Sequence, residues 1–136
     1  MKGAANHFEI HVSKPDVTLP FYKDLLGYFE WQVIGEWPGG LGIGDGNVSL
    51  WLFATPEDHR QHPFDRDATG LSHFGIHVES KEAVDTFVRE YMQPKGIKAE
   101  FETPRARPDF GVWTGGAYYQ VMFVDPEGLA VEVFHG

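Results

Sequence analysis

His7-Phe8-Glu9-Ile10-His11-Val12 recurs later in the chain as His73-Phe74-Gly75-Ile76-His77-Val78, with five of the six positions identical. The two hexapeptides are 66 residues apart (73 − 7). A second pair of matching segments, residues 47–53 and 128–134, is 81 residues apart (128 − 47), because the second half of the chain is longer. Recurrence of this kind indicates that the chain is a two-copy duplication of one structural unit.

Each copy is predicted to contain a strand, a helix and three further strands. Apolar and polar residues alternate over residues 7–13, which indicates a strand, and Pro15 begins a helix that ends at Gly27. Pro20 favours a regular part of this helix that starts near Thr18. The other strands are predicted at residues 29–36, 41–45, 48–54, 72–79, 97–103, 117–124 and 129–135, with a second helix at 81–93. Because one helix covers only one face of such a sheet, the other face needs the second copy.

The predicted fold class is α+β, with a single domain over residues 1–136. Module one covers residues 5–54, a polar linker covers 55–70, and module two covers 71–136. Pro, Arg and Gly are frequent over residues 103–116, which predicts an exposed loop. Loops of this kind often close over binding sites.

Composition and charge exclude several classes of function. The chain has 136 residues with 20 acidic and 11 basic side chains, and its formal net charge of -9 repels nucleic acid. Cysteine is absent, so disulfides and thiolate metal sites are excluded. The sequence shows neither the apolar core of a signal peptide nor a membrane span, and we therefore expect a cytoplasmic protein.

Three side chains are candidate metal ligands. In the first strand of each copy, alternation puts His7 and His73 on the face opposite the apolar residues, and Glu132 has the same parity in the last strand. If the apolar residues pack on the helices, two imidazoles and one carboxylate converge in a sheet-lined hollow. This is the 2-His-1-carboxylate arrangement, which leaves coordination positions open for substrate, water or O2. The alternative is structural: the histidines cap strands, and Glu132 pairs with an arginine.

Other polar residues are candidates for proton transfer. Glu9 lies between His7 and His11, which makes it a candidate general base. His11 and His77 lie four residues beyond the candidate ligands, roughly 13 Å at the rise of a strand, so they line the hollow outside the coordination shell. Tyr119 is a further candidate proton carrier. For each of these residues the alternative is an ordinary hydrogen-bonded wall residue.

Aromatic and basic residues elsewhere give two further hypotheses. An apolar wall for a flat or aromatic substrate has four candidates, which core packing explains equally well: Trp37, Trp51, Phe110 and Trp113. Arg105 and Arg107 are candidates for contact with an anionic substrate, or are simply solvated.

Four motifs together resemble the vicinal oxygen chelate superfamily: residues 7–12, the segment Phe21-Tyr22-Lys23-Asp24-Leu25-Leu26-Gly27, the restart at His73, and Asp125-Pro126-Glu127-Gly128 followed by Glu132. The resemblance covers almost the whole chain. This superfamily includes glyoxalase I, extradiol ring-cleavage dioxygenases, methylmalonyl-CoA epimerase, fosfomycin-resistance enzymes and bleomycin-binding proteins. The resemblance implies paired βαβββ modules around a cupped mixed sheet, one divalent metal ion held by His7, His73 and Glu132, and a homodimer.

At three positions this sequence differs from the patterns of particular family members, and these differences make some of the family's reactions more expected than others. Trp51 stands where four-ligand members carry a Glu or Gln, so the resemblance implies a three-ligand site, for which Fe, Mn, Ni, Zn and Co are not distinguished. Met122 stands where extradiol dioxygenases commonly have an acid–base Tyr, and the carboxylate of Glu9 disfavours a phosphonate. The expected function is a metal-dependent enzyme for a small oxygen-bearing substrate, with ring-cleavage dioxygenation first and a glyoxalase-like lyase or isomerase second. A metal-free binding protein of the bleomycin-resistance type is the third alternative.

Overall fold

The structure is a computed structural model, and it describes residues 1–110 and 116–136. The chain forms two compact units, Met1–Phe64 and Asp65–Gly136, and the boundary between them falls inside the predicted linker. Within the linker, Glu57–His59 form a 3₁₀ turn. No helix in the described ranges is long and apolar enough to cross a membrane.

Unit 1 is a four-stranded mixed sheet with one helix. Its elements are β1 (His7–Val12), α1 (Pro15–Tyr28), β2 (Gln32–Trp37), β3 (Gly40–Gly44) and β4 (Ser49–Ala54). The strand order is β1-β4-β3-β2, with β1 parallel to β4 and the other neighbours antiparallel.

Unit 2 repeats this plan. Its elements are β5 (His73–His77), α2 (Lys81–Phe87) continued by a π-helical turn (Val88–Met92), β6 (Glu100–Ala106), β7 (Tyr119–Val124) and β8 (Ala130–His135). The strand order is β5-β8-β7-β6, again with the first and last strands parallel. The α+β class and the two βαβββ modules predicted from the sequence are confirmed.

The duplication extends to the strand register. His7 pairs with Ser49 in unit 1, and His73 pairs with Ala130 in unit 2. These are the same positions of the two copies, since they follow the offsets of 66 (73 − 7) and 81 (130 − 49) residues. The two sheets therefore present equivalent positions at equivalent places, and any chemical difference between the two faces comes from substitutions within the repeat.

Each helix buries one apolar face against its own sheet. In α1 the buried residues are Thr18, Tyr22, Leu25 and Leu26, and the helix lies over β3 with contacts to β2 and β4. In unit 2, Phe87 stacks on Tyr91 with ring centroids 5.1 Å apart and lies 5.8 Å from Phe123 of β7. Complete burial of side chains of this size contributes about 1.5–3 kcal/mol each, so these faces hold the helices on the sheets.

Three local predictions are wrong in detail. The helix α1 begins at Pro15 as predicted, but its regular part does not wait until Thr18: Pro20 lies inside the helix, where the missing N–H costs one intrahelical hydrogen bond. Phe8 is 57% exposed although its parity predicted burial, because β1 is an edge strand of unit 1 and α1 covers the strands further in. The predicted loop over residues 103–116 starts as strand, since β6 continues to Ala106.

Candidate metal site

The parallel register of β5 and β8 decides which side chains share a face in unit 2. Gly75 pairs with Glu132, and His73 pairs with Ala130. Because side chains alternate along a strand, His73 and Glu132 lie on the same side of the sheet. The opposite side carries the buried valines of β8 and packs on α2. His73 and Glu132 thus lie on the face away from the helix, where their parity predicted them.

His73 and Glu132 lie close together. The distance from His73 Nε2 to Glu132 Oε2 is 3.7 Å, with the His73 side chain 42% exposed and that of Glu132 8% exposed. Ser72 Oγ lies 3.0 Å from His73 Nδ1, and the hydroxyl of Tyr118 donates to Glu132 Oε1 at 2.8 Å. His73 Nδ1 and Glu132 Oε1 each have a hydrogen-bond partner in a neighbouring residue. The other polar atom of each side chain, His73 Nε2 and Glu132 Oε2, faces its counterpart. Hydrogen bonds of this kind, from groups that do not themselves bind the metal, orient metal-ligating side chains.

Gly75 leaves space for the Phe134 ring beside the carboxylate. A Cβ atom at this position would lie 2.9 Å from Phe134 Cε1 and 3.5 Å from Glu132 Oε2. The Phe134 ring has little freedom to move, because it stacks on Tyr118 at 5.1 Å and contacts His77 edge-on at 5.4 Å. The glycine thus gives room for the Phe134 ring, while a Cβ atom here would be in ordinary van der Waals contact with the Glu132 carboxylate.

Tyr118 is the hydrogen-bond donor to Glu132. Burial raises the pKa of its phenol well above the ordinary value, and the neighbouring carboxylate of Glu132 raises it further. The hydroxyl therefore keeps its proton across the physiological range and acts as a neutral donor to the carboxylate.

Tyr119, the predicted proton carrier, lies on the other face of β7. Its hydroxyl donates to Asp85 Oδ1 of α2 at 2.7 Å, and Lys81 Nζ lies 4.6 Å from its ring centroid. The residue beside Glu132 is Tyr118 instead. The hairpin register and the alternation of side chains together identify it: Met122 pairs with Glu132 in the β7–β8 hairpin, so residues with the parity of Met122 share the face of Glu132.

His7 belongs to unit 1 and has a similar local environment to His73. The residue before it engages Nδ1, since Asn6 Oδ1 lies 3.0 Å from His7 Nδ1. If Nδ1 carries the proton, Nε2 has a lone pair for a cation. On the same face, Glu9 Oε1 lies 3.3 Å from His11 Nε2, and both side chains are about half exposed. The two predicted proton carriers of unit 1 therefore form a solvent-accessible pair.

Two of the three candidate ligands are brought together within one unit. Among the residues that the structure describes, no three His, Cys, Asp or Glu side chains form a group able to hold a metal ion. His73 and Glu132 form a two-residue half-site in unit 2, and His7 lies on unit 1. An imidazole nitrogen and a carboxylate oxygen suit Fe, Mn, Ni, Zn and Co, so this donor pair fits a divalent ion.

The remaining candidates lie near the end of β6. Phe110 contacts Tyr118 edge-on at 5.5 Å, and the Arg107 guanidinium lies 3.9 Å from the Phe110 ring centroid. Arg107 also pairs with Asp109 at 2.8 Å, and Arg105 pairs with Glu102 at 3.1 Å. Trp113, the fourth candidate for an apolar wall, lies outside the described residues.

Comparisons with known proteins agree with this architecture. A family model described as the Glyoxalase/Bleomycin resistance protein/Dioxygenase superfamily matches residues 4–133. The uncharacterized protein YqjT of Bacillus subtilis (strain 168) is 28% identical over 131 residues, which is 94% of this chain and 95% of that one.

Two solved structures are similar over nearly their full lengths. A protein of Bacillus halodurans, provisionally described as a glyoxalase, has a TM-score of 0.83 and 26% identity, covering 99% of this chain and 97% of that chain. Lactoylglutathione lyase from Agrobacterium tumefaciens has a TM-score of 0.70 and 23% identity, covering 100% and 96%. The second likeness shows the fold alone.

Proposed function

The chain belongs to the Glyoxalase/Bleomycin resistance protein/Dioxygenase superfamily, and from this premise we propose that it is a metal-dependent enzyme acting on a small oxygen-bearing substrate. The proposed ligands are His7, His73 and Glu132, holding one divalent ion per site. The observation that supports this best is the half-site of unit 2, where His73 Nε2 and Glu132 Oε2 face each other at 3.7 Å. A carboxylate this poorly exposed is costly without a cation beside it.

The residues around the proposed ligands have separate tasks. A bound divalent ion would supply Lewis-acid stabilisation of negative charge on the substrate oxygens. Tyr118 holds one carboxylate oxygen of Glu132, and Ser72 and Asn6 hold the Nδ1 atoms of the two histidines, so each ligand keeps one orientation. Glu9, His11 and His77 are the proposed proton carriers, since they are exposed side chains on the same sheet faces as the proposed ligands.

Ring-cleavage dioxygenation is the proposed reaction. Three protein ligands leave room for two substrate oxygens and for O2. In unit 1, Trp51 takes the register position that Glu132 takes in unit 2, opposite Glu9 instead of Gly75. An indole cannot replace a carboxylate ligand, so a three-ligand site is favoured over a four-ligand one.

A glyoxalase-like lyase or isomerase is the second candidate. The similarity to the Bacillus halodurans protein, which is provisionally described as a glyoxalase, favours it. Met122, buried and opposite Glu132, also lacks the acid–base group that a ring-cleaving enzyme would use there.

Metal content tests the proposed site. Purified protein reconstituted with each divalent ion and dialysed should retain about one ion per chain, and His7→Ala, His73→Ala and Glu132→Ala should each lose most of it. His59→Ala is the matched control, because His59 lies exposed in the linker. Undiminished metal in all three ligand variants would contradict the site, and wild-type protein that takes up no metal would favour a metal-free binding protein.

Oxygen consumption separates the two reactions. Iron-loaded protein should consume O2 with a catechol and yield a yellow ring-opened product. Turnover of a hemithioacetal or an epimerisable substrate without O2 uptake across a varied catechol panel would instead assign the chain to the lyase and isomerase branch.

A further inference from the structure

The sheet face of unit 1 that carries His7 has only glycines on its strand β3. On β3, the residues that share this face are Gly40, Gly42 and Gly44, which pair in register with Phe53, Trp51 and Ser49 of β4. Three glycines on one face of a five-residue strand leave the backbone bare there. Large rings from neighbouring positions fill this space.

Two indole rings lie flat against the glycine backbone. A Cβ atom at Gly42 would lie 2.7 Å from Trp51 Cζ3, and one at Gly40 would collide with the Trp37 indole. Trp51 Nε1 donates to Ser49 Oγ at 3.0 Å, which fixes the orientation of its ring. The Trp37 centroid lies 6.1 Å from that of Trp51 and 5.3 Å from that of Phe53. Trp37, Trp51 and Phe53 thus form one continuous aromatic surface.

This aromatic surface is not buried as core residues are. Trp37 is 37% exposed, and Trp51 and Phe53 are half-buried. The apolar core of unit 1 lies on the opposite side of the sheet, where Leu41, Ile43 and Leu52 face α1. The aromatic surface therefore does not serve the attachment of the helix, and a contiguous group of accessible rings is a candidate binding surface.

The surface lies beside the proposed metal ligand of unit 1. His7 pairs with Ser49. Trp51 lies two residues further along β4, so its Cα atom is about 7 Å from that of Ser49 at the rise of a strand. Glu9 pairs with Trp51 itself, so a carboxylate borders the rings. A ligand that reaches toward His7 with its oxygens would place its body over Trp51, and the negative charge of Glu9 disfavours an anionic body.

We propose that Trp37, Trp51 and Phe53 bind the ring of a planar aromatic, non-anionic substrate by offset or tilted stacking. This rests on the proposed metal site near His7 and names the class of substrate for it. Trp51 in unit 1 and Glu132 in unit 2 are at equivalent positions of the repeat. In this proposal, unit 1 uses that position to bind the ring of the substrate, and unit 2 uses it to bind the metal ion.

Two ligands of the same size and with the same two oxygens test the proposal. The dissociation constants of catechol and of cis-1,2-cyclohexanediol are measured by protein-observed NMR titration on the full chain after metal removal. Stacking is available to catechol alone, so catechol should bind roughly tenfold more tightly. Trp37→Leu and Trp51→Leu should each remove most of this preference, while Trp31→Leu, which changes a tryptophan outside the surface, should keep it.

A second variant guards against simple misfolding. Gly42→Ala keeps every aromatic ring but pushes the Trp51 indole off the backbone, so it should also reduce the catechol preference while the urea midpoint stays within the range of the leucine variants. Equal binding of the two ligands, or an unchanged preference in Trp37→Leu and Trp51→Leu, would overturn the proposal. So would an aromatic surface covered by a second copy of the chain, shown by absent catechol binding and a lower sedimentation coefficient in the leucine variants.

Failure of the metal site gives a different result. Because the titration uses metal-free protein, an intact catechol preference in a chain that binds no metal would reject the proposed enzyme and retain the stacking surface.

Discussion

Glu132 shows what one buried carboxylate requires of its neighbours. The residue is 6% exposed, and the Tyr118 hydroxyl is a neutral donor to one of its oxygens. Its other oxygen lies 3.7 Å from His73 Nε2, too far for a strong hydrogen bond. A cation bound between these two atoms would satisfy both of them.

The first prediction concerns two glycines with opposite surroundings. Gly75→Ala should lower stability by about 1 kcal/mol and weaken metal retention, because its Cβ would press on the Phe134 ring, which stacks on Tyr118, the hydrogen-bond donor to Glu132. Gly27→Ala is the matched control: nothing lies within 4 Å of its Cβ, and alanine favours the helix, so stability should rise by about 0.5–1 kcal/mol. Urea unfolding and metal analysis measure both, and an unaffected Gly75→Ala protein would contradict the packing argument.

At the scale of elements, α2 is fastened to β7 by a polar contact as well as by apolar packing. The Tyr119 hydroxyl donates to Asp85, and Lys81 Nζ lies 3.0 Å from the same carboxylate. The hydrogen bond from Tyr119 holds the pKa of Asp85 below its ordinary value, with Lys81 contributing in the same direction. Because the folded state favours the ionised carboxylate, this contact stabilises the fold above the ordinary carboxyl pKa and is lost as the pH falls through the lowered one.

The second prediction follows from the lowered pKa of Asp85 in the folded state. Tyr119→Phe and Asp85→Asn should each cost about 0.5–1 kcal/mol at pH 7, a modest effect because Asp85 is partly exposed. The double variant should cost less than the sum of the two single ones. The cost of Tyr119→Phe should shrink as the pH falls through the lowered pKa of Asp85, because the carboxyl group is then protonated in the folded wild type as well. Urea titrations at pH 7 and over a series of acidic pH values measure this cost, and a cost that is independent of pH would refute the assignment.

The sequence predicted the elements well where periodicity and repetition act together. The repeated hexapeptide correctly predicted β1 and β5 as the first strands of the two units. The turn at Asp125 sets the register of the β7–β8 hairpin, in which Met122 pairs with Glu132. The same hairpin register puts Tyr118 beside Glu132. The sequence prediction named Tyr119 instead, which lies on the opposite face of β7.

The end of β6 could not be predicted from pattern. Phe101 and Glu102 have φ values of 54° and 57°, a conformation that non-glycine residues rarely adopt and that no local signal marks. The β6–β7 register shifts in this stretch, and the Thr103 hydroxyl accepts a hydrogen bond from Met122 N at 2.8 Å in place of a backbone group. Pairing of this irregular segment depends on a tertiary contact, which is why the strand reaches further than its sequence indicated.

At the scale of the whole molecule, two equivalent sheets have acquired different faces. Unit 1 carries His7 and an aromatic surface, and unit 2 carries His73 and the buried Glu132. In each unit the strand that begins with the histidine is an edge strand, with one side available for pairing beyond its own sheet. The proposed ligand set takes His7 from unit 1 and His73 and Glu132 from unit 2, and the two units can belong to one chain or to two chains.

The last prediction is a homodimer with two equivalent metal sites, an expectation that rests on the family resemblance. Sedimentation at micromolar concentration should give twice the 15.3 kDa chain mass. Co-refolding His7→Ala with Glu132→Ala then shows which chain supplies His7. If His7 comes from the partner, each mixed dimer regains one intact site, and a random mixture retains about a quarter of the wild-type metal. If each chain builds its own site, the mixture stays empty, as do the separate variants. A monomeric mass would refute the dimer, and with it the exchange of units.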